Sequence, residues 1–532
     1  MIKIKGGVLI DCSRDAVPKI ETLENFITII AKLGYESLQL YTEDTYLLGG
    51  EPYFGRGRGA YSGAEIKRLD EYAKARGVEL IPCIETLGHL EKIFEWGEYS
   101  DIRDADGVLL VGEEKTYRLI DKMFAFCAEN FTSRKINIGM DEAHSLGRGN
   151  YLTKNGYRDP YEIYLEHLGK VVGIAEKYGF TPQIWSDMFF RIASGGEYVS
   201  LEAAIPDEVK AAVPRGAEIT YWDYFTKDES VYRAMLEKHL SFGRKVRFAC
   251  SAIKCAGFQS ANAISVDRIG KGIRACEKCG VDEVLVTLWS DGGAECSPFA
   301  VLPSLTYAAC CIQGEYDEDK AKDRFYELFG ENYDDFMLFD LSAMPFPRCD
   351  DIGTGAKEML YSDYFCGRMN EFVSLSGLER AAYARYAEAF AKAKKRSRGY
   401  GYVFEFYYRL ARLMSVKYDL GRLTRHAYRS GDKKTLKALV KRYSATEKLL
   451  GEFLEAFRAL WFTENKPNGF EVHEIRIGGV IARTKSCKNR ILAYISGKID
   501  RIEELETAEP ETYPQMPYKN SYVYAATVNT LL

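Results

Sequence analysis

Gly7–Asp15 reads GVLIDCSRD, an apolar run that ends in an aspartate and passes into a polar turn without glycine. A short apolar run of this kind is a buried strand. A doubly wound dinucleotide-binding sheet would carry a glycine-rich turn at this point. Its absence turns the reading toward another alternating architecture. The next stretch, Leu23–Leu33, has helical spacing, and the same strand–helix unit recurs down the chain. Strands are expected at Gly7–Asp11, Ser37–Tyr41, Glu79–Ile84, Ile136–Gly139, Thr181–Trp185, Glu218–Tyr221, Val246–Ala249 and Glu283–Leu288. Helical stretches at Ala64–Arg76, Thr116–Asn130, Tyr161–Tyr178, Glu229–Phe242 and Ala261–Cys279 fall between them. Eight strands, nearly all followed by a helix, predict an α/β fold of the (β/α)8 TIM-barrel class.

The chain has 532 residues, more than one ordinary domain needs. The barrel is assigned residues 1–315. From 316 to 532 glycine and proline thin out and long helical patterns dominate, at Lys320–Leu328, Gly377–Arg398, Tyr402–Tyr428, Lys433–Leu460 and Thr484–Glu506. Trp461–Val472 reads as a turn-rich connection. This second region is expected to be a mainly helical domain, with a homodimer contact as one use. Gly55–Gly59 (GRGRG) does not open a helix after a strand, so it is read as a flexible loop and not a phosphate cradle.

Composition narrows the function classes. Hydrophobic residues make up 46% and charged residues 28%, which excludes a disordered chain, a collagen and a coiled-coil rod. Net charge is 72 − 77 = −5, so no basic field invites nucleic acid. The N-terminal MIKIKGGVLIDCSRD lacks an apolar leader core, and no run approaches the length of a membrane span. Thirteen scattered cysteines suit reduced thiols better than a disulfide framework. A cytoplasmic protein without membrane partners is expected. One CxxC at Cys276–Cys279, six histidines and no HExxH motif give no metal or cofactor expectation. Aromatic residues reach 13%, which suits clefts for ligands with flat apolar faces, though most must fill the core.

In such barrels the chemistry sits at the C-terminal ends of the strands. There the sequence places Asp11 and Arg14; Tyr41, Glu43 and Asp44; Glu85 and His89; Asp141, Glu142 and His144; Trp185 and Asp187; Tyr221, Trp222, Asp223 and Tyr224; and Trp289, Asp291 and Glu295. Carboxylates and tryptophans together are what sugar chemistry requires: acids for proton transfer and hydroxyl binding, rings for the C–H faces of a pyranose. The sharpest signal is Asn137-Ile138-Gly139-Met140-Asp141-Glu142, two adjacent acids directly after a strand. Two carboxyls in one pocket push their pKa values apart, leaving a general acid beside an ionised partner. The competing reading is a helix N-terminus whose dipole the acids complement.

Several segments, in order, resemble glycoside hydrolase family 20, the β-N-acetylhexosaminidases. GGVLIDCSRD resembles that family's first barrel strand, and Gly59–His89 resembles the stretch leading to its Pro-Gly-His turn. NIGMDEAH resembles its Gly-Gly-Asp-Glu signature, and YWD and WSD resemble its Tyr-x-Asp and Trp-x-acid pairs. The resemblance covers roughly Gly6–Glu295. It implies an exo-acting, retaining hydrolysis of terminal β-linked GlcNAc or GalNAc from small oligosaccharides or glycosides, in which the substrate's own 2-acetamido oxygen is the nucleophile. Glu142 would be acid and then base. Asp141 would orient the acetamide, and Tyr221 would hydrogen-bond its oxygen. Trp185 and Trp289 would wall the pocket, while Asp223, Asp291, Glu43 and Glu295 would bind hydroxyls. Glu85 and His89 would support Glu142. Positions i and i+2 share a side of a strand, so Tyr221 would face the cleft with Asp223, and Trp222 would face away. The family's hydroxyl-binding arginine corresponds to Gly6 here, with Lys5, Arg14 or Glu43 as substitutes; Glu85, Leu87, Asn137 and Met140 also depart from its pattern. Two rivals remain: a conventional glycosidase pairing Glu142 with Asp291 or Asp187, and a catalytically silent sugar-binding barrel.

Overall fold

The structure is a computed structural model that describes residues 2–508, except 256, 292, 344–354, 368 and 371–372. Eight parallel strands close a barrel in sequence order: β1 (Lys5–Asp11), β2 (Ser37–Thr42), β3 (Glu79–Ile84), β4 (Lys135–Asn137), β5 (Thr181–Trp185), β6 (Glu218–Trp222), β7 (Val246–Ser251) and β8 (Glu283–Leu288). β1 closes on β8 with Gly7 opposite Leu285. All eight strands stand where the apolar runs predict them. β4 stops two residues early, because Gly139 and Met140 take positive φ values of 68° and 74° and leave the extended region.

The helices between strands obey local rules. Ile20–Leu33 buries Ile20, Leu23, Phe26, Ile27 and Ile30, one stripe of a 3.6-residue period, and ends at Gly34 in the left-handed conformation. Gly63–Lys74 starts on a capping box between Ser62 and Glu65.

The barrel interior is layered, and the layers fix which side chains face inward. At the N-terminal end Arg247 lies between Glu218 at 3.0 Å and Glu283 at 2.5 Å. Above them Gln39 donates to Gln183 at 2.9 Å. Higher still, Leu9, Tyr41, Cys83, Trp185, Ala249 and Leu285 pack together, with Trp222 and Trp289 against them. This aromatic layer floors the catalytic face.

A second compact unit comprises Lys254–Ala263, Ser290–Pro303 and the chain from Lys322 onward; Ser304–Ala321 clusters with the barrel. Its long helices include Leu378–Arg396, Gly401–Lys417, Leu420–Arg429, Lys433–Glu464 and Phe470–Ile495. Three sequence expectations change here. The pattern Thr484–Glu506 is the end of the helix Phe470–Ile495 and, after a break, the short helix Glu503–Glu506. The single pattern Tyr402–Tyr428 is two helices broken at Tyr418–Asp419, where the buried Asp419 carboxylate takes Arg380 at 3.2 Å and also Arg442. The turn read at Trp461–Val472 shrinks to Asn465–Gly469, because buried Trp461 prolongs one helix and buried Phe470 begins the next. Among the described residues, no helix is long and apolar enough to cross a membrane.

Candidate active site

The loop after β4 builds the site. Gly139 is obligatory: with φ at 68°, a Cβ there would stand 2.0–2.5 Å from the Glu85 carboxyl. Met140 and Glu142 also take positive φ, 74° and 47°, as does His89 at 55°. Such backbone costs of order 1–3 kcal/mol per residue and persists only where surroundings hold it. Here they do. Trp185 N–H donates to Gly139 O at 3.2 Å, Met140 N–H to Glu85 Oε2 at 3.4 Å, Tyr164 OH to Met140 O at 3.4 Å, and Glu142 N–H to Asp187 Oδ2 at 3.0 Å.

The two adjacent acids thereby enter different surroundings. Asp141 is 9% exposed and lies 3.3 Å from His89 Nε2. Burial alone would raise its pKa, but the His89 imidazole brings it below the usual carboxylate value. Burial likewise opposes a charge on His89, yet Asp141, Glu85 and Glu43 together lift its pKa well above 6.5. Glu85 is fully buried, and burial plus the neighbouring Asp141 push its carboxyl far up. The preferred state is ionised Asp141, cationic His89 and neutral Glu85. Glu142 is the more open of the two acids, its side chain 37% exposed, with Oε1 3.0 Å from Arg191 Nη2 and Oε2 3.8 Å from His89. Arg191 also donates through Nε to Asp187 Oδ2 at 2.9 Å. Asp187 is fully buried, and burial raises it to about 7. Asp187 Oδ1 and Trp185 Nε1 are buried and have no hydrogen-bond partner among the described residues. Such orphans in a cleft are what a bound polar ligand satisfies.

Glu43 sits across the same mouth, 2% exposed, accepting from Arg14 Nη1 at 3.0 Å and Tyr41 OH at 3.3 Å. Burial raises it to about 7 against the pull of Arg14. Trp185 and Trp289 stand 5.8 Å apart at 57°, and Tyr41 meets Trp289 edge-on at 4.8 Å. Among the described residues, no group of three or more His, Cys, Asp or Glu is arranged to hold a metal ion.

Two family models match the chain. One described as glycosyl hydrolase family 20, catalytic domain, matches residues 36–205; another, the glycoside hydrolase 20C C-terminal domain, matches residues 334–523. The chain belongs to glycoside hydrolase family 20. Human hexosaminidase D is 27% identical over 256 residues, 46% of this chain and 50% of that protein. The bovine hexosaminidase D is 26% identical over 254 residues, 46% and 70% of the two chains. This chain therefore matches half the length of its human relative. Among solved structures, a family-20 exo-β-N-acetylglucosaminidase from Vibrio harveyi aligns over 62% of this chain and 57% of its own, at 14% identity and a TM-score of 0.45.

Within this family-20 barrel, β6 overturns part of the sequence reading. Its inward positions are Glu218, Thr220 and Trp222, because Glu218 joins the interior ion pair and Trp222 joins the aromatic layer. Tyr221 therefore points outward. It is fully buried, its ring stacked on His239 of the helix Glu229–Leu240 at 4.6 Å and set 5.4 Å from Phe248. Its hydroxyl donates to Asp223 Oδ2 at 2.8 Å, and Asp223 Oδ1 accepts the amides of Phe225 and Thr226. Asp223 is thus a buried loop anchor and not a hydroxyl ligand. The tyrosine beside the tryptophans is Tyr224, whose hydroxyl accepts from Trp289 Nε1 at 2.8 Å and whose ring stacks on Trp222 at 5.3 Å. The i, i+2 rule holds; the parity assigned to the strand was the wrong one.

Two more assignments shift. Asp291 and Glu295 belong to the second unit, where Glu295 forms a buried ion pair with Lys357 at 2.6 Å. That pairing replaces the hydroxyl-binding role expected of Glu295. At Gly6 a Cβ would meet Ile312 and Tyr35 on the outer side of β1. An arginine there would point away from the mouth, whereas Arg14 is at it. Arg191 went unnoticed in the sequence, although its place four residues after Asp187 on the helix Asp187–Ser194 makes the i, i+4 pair a readable signal.

Proposed function

We propose that this chain is an exo-acting β-N-acetylhexosaminidase that releases terminal β-linked GlcNAc or GalNAc from small glycosides with retention, by substrate-assisted hydrolysis. The observation that carries this reading is the division of labour between the neighbouring acids. Asp141, buried and ionised beside His89, suits the acetamide: it accepts the acetamide N–H, orients the carbonyl oxygen toward the anomeric carbon, and stabilises the positive charge that grows as the ring closes. Glu142, more open and held by Arg191, suits proton transfer to the departing glycosidic oxygen and then from water. Tyr224 takes the part first given to Tyr221, donating to the acetamide oxygen. Trp185 and Trp289 hold the apolar faces of the pocket, and Arg14 with Glu43 meets the outer hydroxyls.

The rival with a protein nucleophile loses one of its acids. Asp187 is fully buried behind Glu142, with Oδ2 taken up by the Glu142 amide and by Arg191. The deciding experiment is inhibition by a thiazoline analogue of N-acetylglucosamine, together with hydrolysis of paired chromogenic glycosides with and without the 2-acetamido group. Tight inhibition and strict dependence on the acetamide support substrate assistance. Equal cleavage of the plain glucoside refutes it.

Three broader statements stand with this proposal. A helical domain that begins near the expected 315/316 division is supported by the C-terminal family match from 334, with Lys254–Ala263 and Ser290–Pro303 clustering with it and the barrel unit running on to Ala321. A reducing, cytoplasmic setting is supported by free buried thiols at Cys83, Cys127, Cys250, Cys276 and Cys487. A homodimer through the helical unit is supported by exposed Ile475 and Leu492 on the helix Phe470–Ile495, and sedimentation tests it.

A further inference from the structure

Arg191 is held at every nitrogen. Its Nε donates to Asp187 Oδ2 at 2.9 Å, its Nη1 to Gly196 O at 2.9 Å and its Nη2 to Glu142 Oε1 at 3.0 Å. The guanidinium carbon lies 5.8 Å from the Tyr198 ring and 5.9 Å from the Trp222 ring. Three bonds around one planar fork, with two rings beside it, fix the plane of the group. Asp187 then ties both ends of Glu142 to one atom. Its Oδ2 accepts the Glu142 amide at 3.0 Å as well as Arg191 Nε. The backbone of Glu142, at a φ of 47°, and its carboxyl group are thus anchored on the same buried oxygen. A half-exposed glutamate would otherwise sample several rotamers.

The two carboxyl oxygens of Glu142 are not equivalent. Oε1 receives Arg191. A guanidinium only donates, so a proton on Oε1 would face the N–H of a cation. Oε2 makes no hydrogen bond among the described residues. His89 Nε2 is 3.8 Å from it, beyond hydrogen-bond reach.

We propose that Arg191 is a positioning residue for proton transfer: by taking Oε1 it leaves the transferable proton to Oε2 and aims that oxygen at the glycosidic bond. This rests on the substrate-assisted reading above and adds the residue that orients its acid. In the first step the Oε2–H bond breaks and the proton joins the departing oxygen, which keeps the electron pair of the broken bond to the anomeric carbon. The acetamide oxygen forms the new bond to that carbon. The carboxylate left behind keeps Oε1 on Arg191. In the second step water attacks the anomeric carbon, the acetamide oxygen leaves with its electron pair, and Oε2 takes the proton of the water.

The experiment uses Arg191→Lys and Arg191→Gln on methyl and 4-nitrophenyl β-N-acetylglucosaminides. A lysine keeps a cation beside buried Asp187, so that variant should fold, but its ammonium lacks the fork that reaches Asp187, Gly196 and Glu142 together. Both variants should lower kcat/KM on the methyl glycoside about 10- to 100-fold, through kcat and with KM unchanged, the cost of a misaimed acid. On the nitrophenyl glycoside kcat/KM should stay within about twofold, because that leaving group needs little protonation. Equal losses on the two substrates mark a merely structural role and overturn the proposal, as does a methyl glycoside cleaved at the parent rate. A crystal structure with an uncleavable thioglycoside bound should place the glycosidic sulfur beside Oε2; sulfur beside Oε1 overturns the assignment of the proton. A parent protein that cleaves neither glycoside refutes the underlying glycosidase reading, an outcome distinct from an active parent whose variants lose both activities equally.

Discussion

Replacing Glu43 with glutamine should stabilise the barrel and weaken substrate binding, and pH separates the two effects. Burial lifts the Glu43 carboxyl from 4.5 to about 7 even with Arg14 3.0 Å away. A raised acid pKa means that the folded protein keeps a proton the unfolded chain has already released. Its contribution to stability is therefore fully present below pH 4.5 and is lost as the pH rises through 7. At about 1.4 kcal/mol per pKa unit, the loss reaches about 3 kcal/mol. Glutamine carries no charge to desolvate, and its carbonyl can still accept from Arg14. The gap in unfolding free energy between variant and parent should thus widen by about 3 kcal/mol from pH 4 to pH 8. Urea unfolding followed by tryptophan fluorescence measures it, since Trp96, Trp185, Trp222 and Trp289 all lie in the barrel unit. At neutral pH, KM for a terminal N-acetylglucosaminide should rise about tenfold, the value of one lost charged hydrogen bond. A gap that does not change with pH would show that Glu43 ionises as easily folded as unfolded, and the argument for a site carboxylate held at a cost to the fold would be refuted.

Other outcomes follow from the same geometry. Glu142→Gln should cut kcat on an alkyl glycoside by about 10^2–10^4 and much less on a nitrophenyl glycoside, whose leaving group needs little protonation; equal losses would show that Glu142 is not the proton donor. Tyr224→Phe should lower kcat/KM about 10- to 100-fold by removing a donor to the acetamide. Tyr221→Phe should leave kinetics alone and cost about 1–3 kcal/mol of stability by stripping buried Asp223 of a partner; the opposite ranking would restore Tyr221 to the site. In the helical unit, burial, with Arg476 and Lys357 nearby, pushes His473 from 6.5 down to about 3. A depressed base contributes stability above pH 6.5 that is lost as pH falls toward 3, about 5 kcal/mol in all. His473→Phe keeps the packing on Phe457 and Trp461 and should melt higher than the parent at pH 4 but not at pH 7, read by calorimetry.

Eight strands were legible because each is a short apolar run closed by polar residues, and the order of those runs leaves few topologies. The acids at 141 and 142 were legible because two carboxyls directly after a buried strand have few uses. The facing of Tyr221, Trp222, Asp223 and Tyr224 was not, since aromatic and polar residues alternate there without a hydrophobic pattern to set parity. Parity was nonetheless present three residues earlier: a glutamate at 218, sharing an arginine at 247 with a glutamate at 283, marks the inward line. The break at Asp419 was hidden for another reason. Gly421 lies just beyond it, but a lone glycine within a helical pattern does not mark a break, and the helix yields to ion pairs with Arg380 and Arg442, distant in sequence.

The loop from Gly139 to Glu142 shows why a dipeptide can supply two roles. In an extended strand neighbouring side chains point oppositely, and in a helix they splay by a third of a turn; neither puts two acids into one cleft with different exposure. Positive φ at Met140 and Glu142 does, turning Asp141 down to His89 and Glu142 out to Arg191. That backbone is unfavourable by itself and is held by hydrogen bonds from outside the loop. Two of those bonds end on Glu85 and Asp187, both buried carboxyls raised in pKa. Four acids thus gather around one loop, where ionising all of them together would be ruinous in a dry interior. Burial keeps Glu85 protonated, and the His89 cation lets Asp141 carry charge. The strain in the loop and the charge pattern around it are therefore one device: the neutral acid shapes the backbone, and the charged Asp141 faces the sugar.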